Sequence, residues 1–254
     1  MVLAIDIGNT NIVVGCMEDN RAVFVERMST DTTKTSLEYA MGIKMVLELN
    51  AVRAEDIEGA IISSVVPPLT GVVREAIRKI AGCDAMVVGP GVKTGLNILI
   101  DNPKSMGADI VVASVAAIKK YGAPCIIVDM GTATTIVAID KNANYLGGAI
   151  VPGIISSLDS LVERTAQLPR ISIEAPQRTI GRTTEDGMKS GVVYGSASLI
   201  DGLIERMEEE LGYHANLIAT GGMAGSIVKY CKHDIHVDDE LLLEGLNIIY
   251  RKNV

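Results

Sequence analysis

Two short segments carry residue types suited to handling a phosphate. The first, Asp6-Ile7-Gly8-Asn9-Thr10-Asn11, follows the apolar stretch Val2–Ile5, and the second, Asp129-Met130-Gly131-Thr132, follows Cys125–Val128. A glycine at a turn tolerates positive φ and lets backbone N–H groups come close to a phosphate. An aspartate at the end of a strand can hold Mg²⁺ or its water shell. Either segment alone is equally an ordinary turn, because Gly and Asn are turn formers. Overlaying residues 5–17 on 128–140 at a constant offset of 123 puts Asp6 on Asp129, Gly8 on Gly131, Asn9 on Thr132 and Ile12–Val14 on Thr135–Val137. Duplication changes the balance: two related acids would face one another across a cleft in which the phosphates of a nucleotide could lie.

The elements that must position these residues follow from periodicity and turn residues. Each segment joins two apolar strands as a hairpin with a polar glycine turn, and a third strand follows, in "MEDNRAVFVERM" and in "DKNANYLGGAIV". Helices are expected over "SLEYAMGIKMVLEL", capped by its Ser, over "LTGVVREAIRKIAG" ending at Gly82, and over the run into "IVVASVAAIKKYG" ending at Gly122. "IEGAIISSVV" and "AMVVG" suggest strands, the former ended by Pro67-Pro68. In the second half, "IISSLDSLVERTAQL" is a helix, "TTEDGMKSGVVYGSASLIDGLIERMEEELG" one long helix or a pair, "ANLIATGG" a strand into a glycine turn, and "DDELLLEGLNIIYRKN" a closing helix. Alternating strands and helices in two similar halves predict an α/β protein of two like domains, residues 1–118 and 119–254.

Composition narrows the function. A net charge of −8 argues against general nucleic-acid binding, which needs a basic face, but leaves backbone phosphate binding open. No apolar run reaches the ~18 residues of a membrane span, and the N-terminus has no basic region or cleavage site, so a soluble, unexported protein is expected. Cys16, Cys83, Cys125 and Cys231 are widely spaced and form no CxxC, which points to free thiols, most of them buried. His214, His233 and His236 lack a complementary ligand set for zinc and are expected at the surface. Gly187, Gly191 and Gly195 make a smooth helix stripe, for tight packing within one subunit or between two copies. "ERMEEEL" is a solvated helix face.

"DIGNTN" and "DMGTATT" resemble the phosphate loops of the acetate and sugar kinase, actin and Hsp70 superfamily. In order along the chain, "DNPKSMGAD", "DMGTATT", "GGAIVPG", "ERTAQLP", "TTEDGMKSG", "ATGGMA" and "LLLEGLNIIYRKN" closely resemble the type III pantothenate kinases, a likeness running from residue 2 to residue 253. It implies two tandem ribonuclease-H-like domains closing on ATP with Mg²⁺, and transfer of a phosphoryl group to pantothenate, the first step toward coenzyme A. It further implies that Asp6, Ile7, Gly8, Asn9, Thr10, Asn11, Ile12 and Val13 form the first ATP loop and that Thr132 contacts ATP from the second. Asp129 would coordinate a monovalent cation, K⁺ or NH₄⁺, and Asp109 would be the general base. Gly107, Ala108, Asp109 and Ile110 would line the pantothenate site, with Thr184 contacting pantothenate from the other half. A cytoplasmic homodimer, its substrate pocket completed at the subunit interface, is implied as well.

Phosphoryl transfer is mostly positioning and charge neutralisation, so a carboxylate that accepts the hydroxyl proton suffices as base. Asp109 stands where a polar loop becomes a helix, which is also where the helix dipole favours any carboxylate; the dipole is expected to lower its pKa. In "TTED" either Thr183 or Thr184 caps the helix, with Asp186 completing a box to Thr183. The chain departs from the family where Gly-x-Asp-Arg is replaced by "GADI": Ile110 stands in the place of the arginine that helps hold the substrate anion. A lost charge-assisted hydrogen bond is worth about 1.5–3 kcal/mol, or ~10–150-fold in affinity. Ile100 likewise stands where many relatives carry tyrosine, and Lys93, Lys104 and Arg182 are the cations that could substitute. A catalytically weakened or non-catalytic regulatory homologue, motivated by Ile110, and a phosphohydrolase on the same scaffold stand as alternatives.

Overall fold

A computed structural model describes residues 1–19 and 21–254. It divides into two compact units, the first made of Met1–Leu96, Asp101–Lys120 and Glu240–Val254, the second of Asn97–Ile100 and Tyr121–Asp239.

The first unit opens with β1 (Val2–Ile7), β2 (Asn11–Glu18) and β3 (Arg21–Ser29), followed by α1 (Ser36–Leu49), β4 (Gly59–Ser64), α2 (Pro67–Ala81) and β5 (Met86–Val87). The sheet order is β3-β2-β1-β4-β5, antiparallel across β1–β2–β3 and parallel from β1 through β4 to β5. All six residues of β1 are buried, and the period of two divides them between two cores. Leu3, Ile5 and Ile7 pack with Tyr39, Ile43, Leu69 and Val73 of α1 and α2. Val2 and Ala4 pack on the other face with two further helices, the later-numbered α3 (Ala108–Tyr121) and α7 (Leu241–Asn253), through Val112, Val115, Leu243 and Leu246. The closing helix therefore belongs with the first unit, whereas the linear division 1–118/119–254 assigns it to the second half. Its apolar residues are needed to cover a sheet face that α1 and α2 do not reach.

The second unit contains a short edge strand β6 (Asn97–Ile98), then β7 (Cys125–Met130), β8 (Ala133–Ile139), β9 (Asn144–Pro152), α4 (Ile154–Glu163), α5 (Thr184–Leu211), β10 (Asn216–Thr220), α6 (Ala224–Ile227) and β11 (His236–Val237). The order β11-β10-β7-β8-β9-β6 repeats the first sheet strand for strand and adds β6 beside β9. Ile126, Val128 and Met130 of β7 pack against Val193, Ala197, Ile200 and Ile204 of α5. The stretch from Thr184 to Leu211 is one continuous helix and not a pair.

Three local expectations need correction. Thr35, and not a serine, caps α1: its side chain accepts from the Glu38 N–H while the Glu38 carboxylate accepts from Thr35 N at 2.8 Å, a reciprocal box. Pro67 and Pro68 do more than end a strand; they occupy the first positions of α2, where no N–H is required. Helix α4 stops at Glu163, short of the run through Leu168.

Candidate active site

In the first unit, the β1–β2 turn leaves Gly8, Asn9 and Thr10 between the strands. Gly8 N–H donates to the Asn11 carbonyl at 3.0 Å, and the Gly8 carbonyl accepts from Thr30 Oγ1 at 2.6 Å, so the end of β3 braces the tip. Asn9, Thr10 and Asn11 are exposed, while Asp6 is only 7% exposed. By alternation Asp6 shares a face of β1 with Val2 and Ala4, the face on which α3 packs. In the parallel register Asp6 lies beside Ser63 of β4. Ser63 Oγ is buried with no hydrogen-bond partner among the described residues, and nothing in its residue type or spacing singles it out beforehand.

Helix α3 begins at Ala108, so Gly107, Ala108, Asp109 and Ile110 form its first turn and approach, all of them half-buried. The Asp109 carboxylate folds back over the helix start, where Oδ1 accepts from Ile110 N at 2.8 Å. A Cβ on residue 107 would collide with that same Oδ1, which explains the glycine: it leaves room for the carboxylate. The expected lowering of the Asp109 pKa is reversed. Burial pushes it up and outweighs the Ile110 and Asp109 backbone N–H groups that pull it down.

In the second unit the connection is shorter: only Gly131 and Thr132 separate β7 from β8, and both are exposed. Gly131 N–H donates to the Ala133 carbonyl at 3.0 Å. The Thr132 carbonyl accepts from Gly153 N at 3.1 Å and from Ser156 Oγ at 3.0 Å, so the start of α4 braces this tip. Asp129 is half-buried and lies beside Thr220 in the parallel register. Immediately after Thr220, Gly221 has φ +93°, and a Cβ there would lie 2.7 Å from Asp129 Oδ1 and from the Met130 backbone. The glycine of "ATGG" is thus a packing requirement of Asp129, a pairing 92 residues apart in the chain (221 − 129).

The two hairpins differ in a way the gapless overlay conceals. Asp6 pairs with Val13, whereas Asp129 pairs with Thr135. The second turn is one residue shorter, so beyond it the equivalent offset is 122. The β-bulges agree, falling at Cys16/Met17 in β2 and at Ala138/Ile139 in β8.

Among the described residues no cluster of three or more His, Cys, Asp or Glu could cage a metal. One carboxylate per hairpin fits an ion that brings most of its ligands on a phosphate or as water, which is how Mg²⁺ is commonly held.

At the start of α5 the open choice is resolved. Thr183 is the cap, its side chain accepting from Asp186 N at 3.0 Å, and Thr184 is the first helical residue, exposed. Thr184 lines one end of an apolar groove of about 590 Å³ in the second unit, with Gly187, Gly191 and Gly195 along its floor and Leu158 and Leu161 of α4 opposite. A Cβ on any of these three glycines would meet nothing within 4 Å among the described residues, so the stripe is not filled by this chain. Ile100 packs beside Gly147, with its Cγ2 3.6 Å from where a Cβ would stand.

All four cysteines are free, with Cys16 and Cys125 buried. Burial pushes the Cys16 thiol up to about 11 and the Cys125 thiol to about 12. His214 and His236 are exposed, but His233 departs from the surface reading. Its Nδ1 lies 2.7 Å from Asp201, a buried carboxylate of α5 that also accepts from the backbone of Lys232 and His233. No helix among the described residues is long and apolar enough to cross a membrane.

Residues 2–206 match the family model for type III pantothenate kinase. A type III pantothenate kinase of an Exiguobacterium species is 46% identical over 253 residues, covering 100% of this chain and 99% of the relative. Among solved structures, a Campylobacter jejuni protein assigned to the Baf family of transcriptional activators superposes with a TM-score of 0.62 at 21% identity, covering 99% of this chain and 98% of that one. A Sinorhizobium meliloti protein assigned as a 2-dehydro-3-deoxygalactonokinase gives 0.60 at 13% identity, covering 99% and 96%. At such identities the structural likeness concerns the fold alone, and that fold is the two-domain architecture of the sugar kinases and actin-like ATPases.

Proposed function

The chain belongs to the type III pantothenate kinase family, enzymes that phosphorylate pantothenate in coenzyme A biosynthesis, and on that premise we propose how its own residues divide the reaction. Asp109 takes the proton of the primary hydroxyl of pantothenate as the oxygen attacks the γ-phosphorus of ATP. The bond from that phosphorus to the β–γ bridging oxygen breaks, leaving ADP and 4′-phosphopantothenate. The observation that carries this assignment is the Asp109 carboxylate folded over the start of α3, with residue 107 a glycine that makes room for it. A carboxyl raised by burial is a better proton acceptor than a free aspartate.

The segment Asp6–Val13 serves the nucleotide from the first unit and Thr132 from the second. Exposed tips at Asn9–Asn11 and Gly131–Thr132, each braced from behind, support that reading, since a braced backbone presents its N–H groups without reorganising. Mg²⁺ bound with ATP neutralises phosphate charge. Asp129, held against Gly221, is assigned to the monovalent cation, K⁺ or NH₄⁺. Gly107, Ala108 and Ile110 shape the pantothenate site beside Asp109, with Thr184 as a further contact. A second copy of the chain is the occupant we assign to the unfilled glycine stripe on α5, whose groove is lined by exposed Leu161 and Leu199. The reaction is assigned to the cytoplasm. Neither a regulatory nor a hydrolytic role gains an observation in its favour.

A coupled assay of ADP formation, run with and without pantothenate and with and without K⁺, tests this function. The expected result is ADP release that requires pantothenate and rises with K⁺. ADP release at millimolar ATP that ignores pantothenate would overturn it.

A further inference from the structure

We propose that Ser63 is a positioning residue for Asp6: its hydroxyl donates to the Asp6 carboxylate when MgATP is bound and fixes that carboxylate toward the nucleotide. The inference rests on the family reading above and on Asp6 as a nucleotide residue. Asp6 and Ser63 both belong to the first unit.

Register and alternation place the two side chains together. Ser63 lies beside Asp6 where β4 runs parallel to β1, with Cα atoms about 4.8 Å apart. Two residues earlier, Ala4 and Ile61 are partners in the same register, and both belong to the core cluster covered by α3 and α7. By alternation Asp6 and Ser63 take that same face. Each stands one residue before the C-terminal end of its strand, the edge at which open α/β sheets bind their ligands.

The hydroxyl is costly where it stands. Ser63 is 0% exposed, and its Oγ has no partner among the described residues. A buried O–H without an acceptor destabilises a fold, and an alanine would fill nearly the same space with no polar group to bury. A serine hydroxyl moves among three staggered positions, so it reaches a neighbouring carboxylate without backbone movement. An ionised carboxylate has about four acceptor sites, so Asp6 can serve a ligand and this hydroxyl together.

The second unit repeats the arrangement. Strand β10 runs parallel beside β7 as β4 does beside β1, and the residue next to Asp129 is Thr220, also buried. Each Asp-x-Gly aspartate thus has a hydroxyl residue at the same register position. The other buried polar atoms without a partner among the described residues, Ser114 Oγ and Asn247 Oδ1, belong to the interiors of α3 and α7 and neighbour no aspartate in a strand register.

Thermal melting and steady-state kinetics of Ser63→Ala test the assignment. Without nucleotide the variant is expected to melt at or above wild type, since it loses a hydroxyl that no described residue satisfies. MgATP should raise its Tm less than that of wild type at equal concentration. Its kcat/KM for ATP should fall about tenfold, with the KM for pantothenate within about threefold of wild type. In an Asp6→Asn background the same substitution should add less than about twofold. Ser114→Ala, the control for removing a buried hydroxyl, should leave both kinetic constants unchanged. A lower Tm without nucleotide would make the hydroxyl a support of the fold and overturn the proposal. So would a loss in kcat with nucleotide binding unchanged, an equal loss with and without the Asp6 carboxylate, or the same loss in Ser114→Ala. Wild-type protein that neither gains stability from MgATP nor forms ADP would bring down the family reading and this inference together. Normal wild-type turnover with Ser63→Ala indistinguishable from it would bring down this inference alone.

Discussion

The β1–β2 and β7–β8 hairpins are copies of one design with different supports. Both run strand, Asp-x-Gly, strand, and the first strand of each, β1 or β7, sits third from one end of its sheet, between a parallel and an antiparallel neighbour. In the first, a three-residue tip is braced by the side chain of Thr30, just after β3, and the aspartate is buried beside a serine hydroxyl with no partner among the described residues. In the second, a two-residue tip is braced by the start of α4, and the aspartate is half-buried against a glycine that no other residue could replace without a shift. Both copies keep a turn whose glycine N–H closes on a nearby carbonyl, Asn11 in the first and Ala133 in the second. Each carboxylate nevertheless has separate surroundings, which is what the proposed division of ions between them requires.

The largest effect is expected outside both hairpins, and it sets the scale for them. Asp109→Asn should lower kcat about 10²- to 10⁴-fold. It should not lower the melting temperature at pH 7. Because burial raises the Asp109 pKa in the folded state, the ionised carboxylate costs stability above that folded pKa, and the cost vanishes below the unfolded value near ~3.9. The variant should therefore melt at or above wild type at pH 7 and converge with it in acid. A clear drop in Tm at pH 7 would contradict the burial account.

Between the hairpins, Asp6→Asn should cost about 10²-fold in kcat/KM for ATP, as expected for a group acting on phosphate charge. Asp129→Asn should cost about tenfold at saturating K⁺ and shift the K⁺ activation curve to higher concentration. Titrations of both variants with ATP and with K⁺ distinguish the two acids, and identical responses would erase the difference in role.

Their supports differ in a smaller, structural way. Gly221→Ala, at φ +93° and against Asp129, should destabilise by about 1–3 kcal/mol in urea unfolding. Gly8→Ala meets only the Asn11 carbonyl, 3.0 Å away and without positive φ, and should cost under about 1 kcal/mol. Equal losses would show the two tips to be equally strained.

The mildest expectation is a pH profile. The acid limb of kcat/KM for pantothenate should fall at a pH above the ordinary aspartate value of ~3.9, since Asp109 works ionised and burial makes it hold its proton to higher pH. A limb at or below that value would mean that the backbone N–H groups outweigh burial after all.

Much of this was legible in the chain because periodicity and turn chemistry are local. The hairpins, the third strands and the helix endings at Gly82 and Gly122 follow from neighbours in sequence. The one-residue slip between the hairpins did not show, because apolar residues on either side of the turn match at offset 123 and at 122 alike. The membership of α7 in the first unit was hidden for another reason: an amphipathic helix declares that it must cover something, but not which sheet. At the site, Asp109 and the two Asp-x-Gly motifs stood out by residue type. The purposes of Gly107 and Gly221 did not, since each exists to spare a collision with a particular carboxylate oxygen. Thr30 and Ser156 gave no signal, being remote from the carbonyls they brace. His233 was misjudged because its buried partner, Asp201, lies 32 residues away.

Phosphorus NMR of the wild-type protein with ATP, Mg²⁺, K⁺ and pantothenate decides whether the phosphoryl group reaches pantothenate. The γ-phosphate signal of ATP should be replaced by a phosphomonoester resonance, one for each ADP formed. Inorganic phosphate in place of that ester, or an unchanged ATP spectrum, would contradict it.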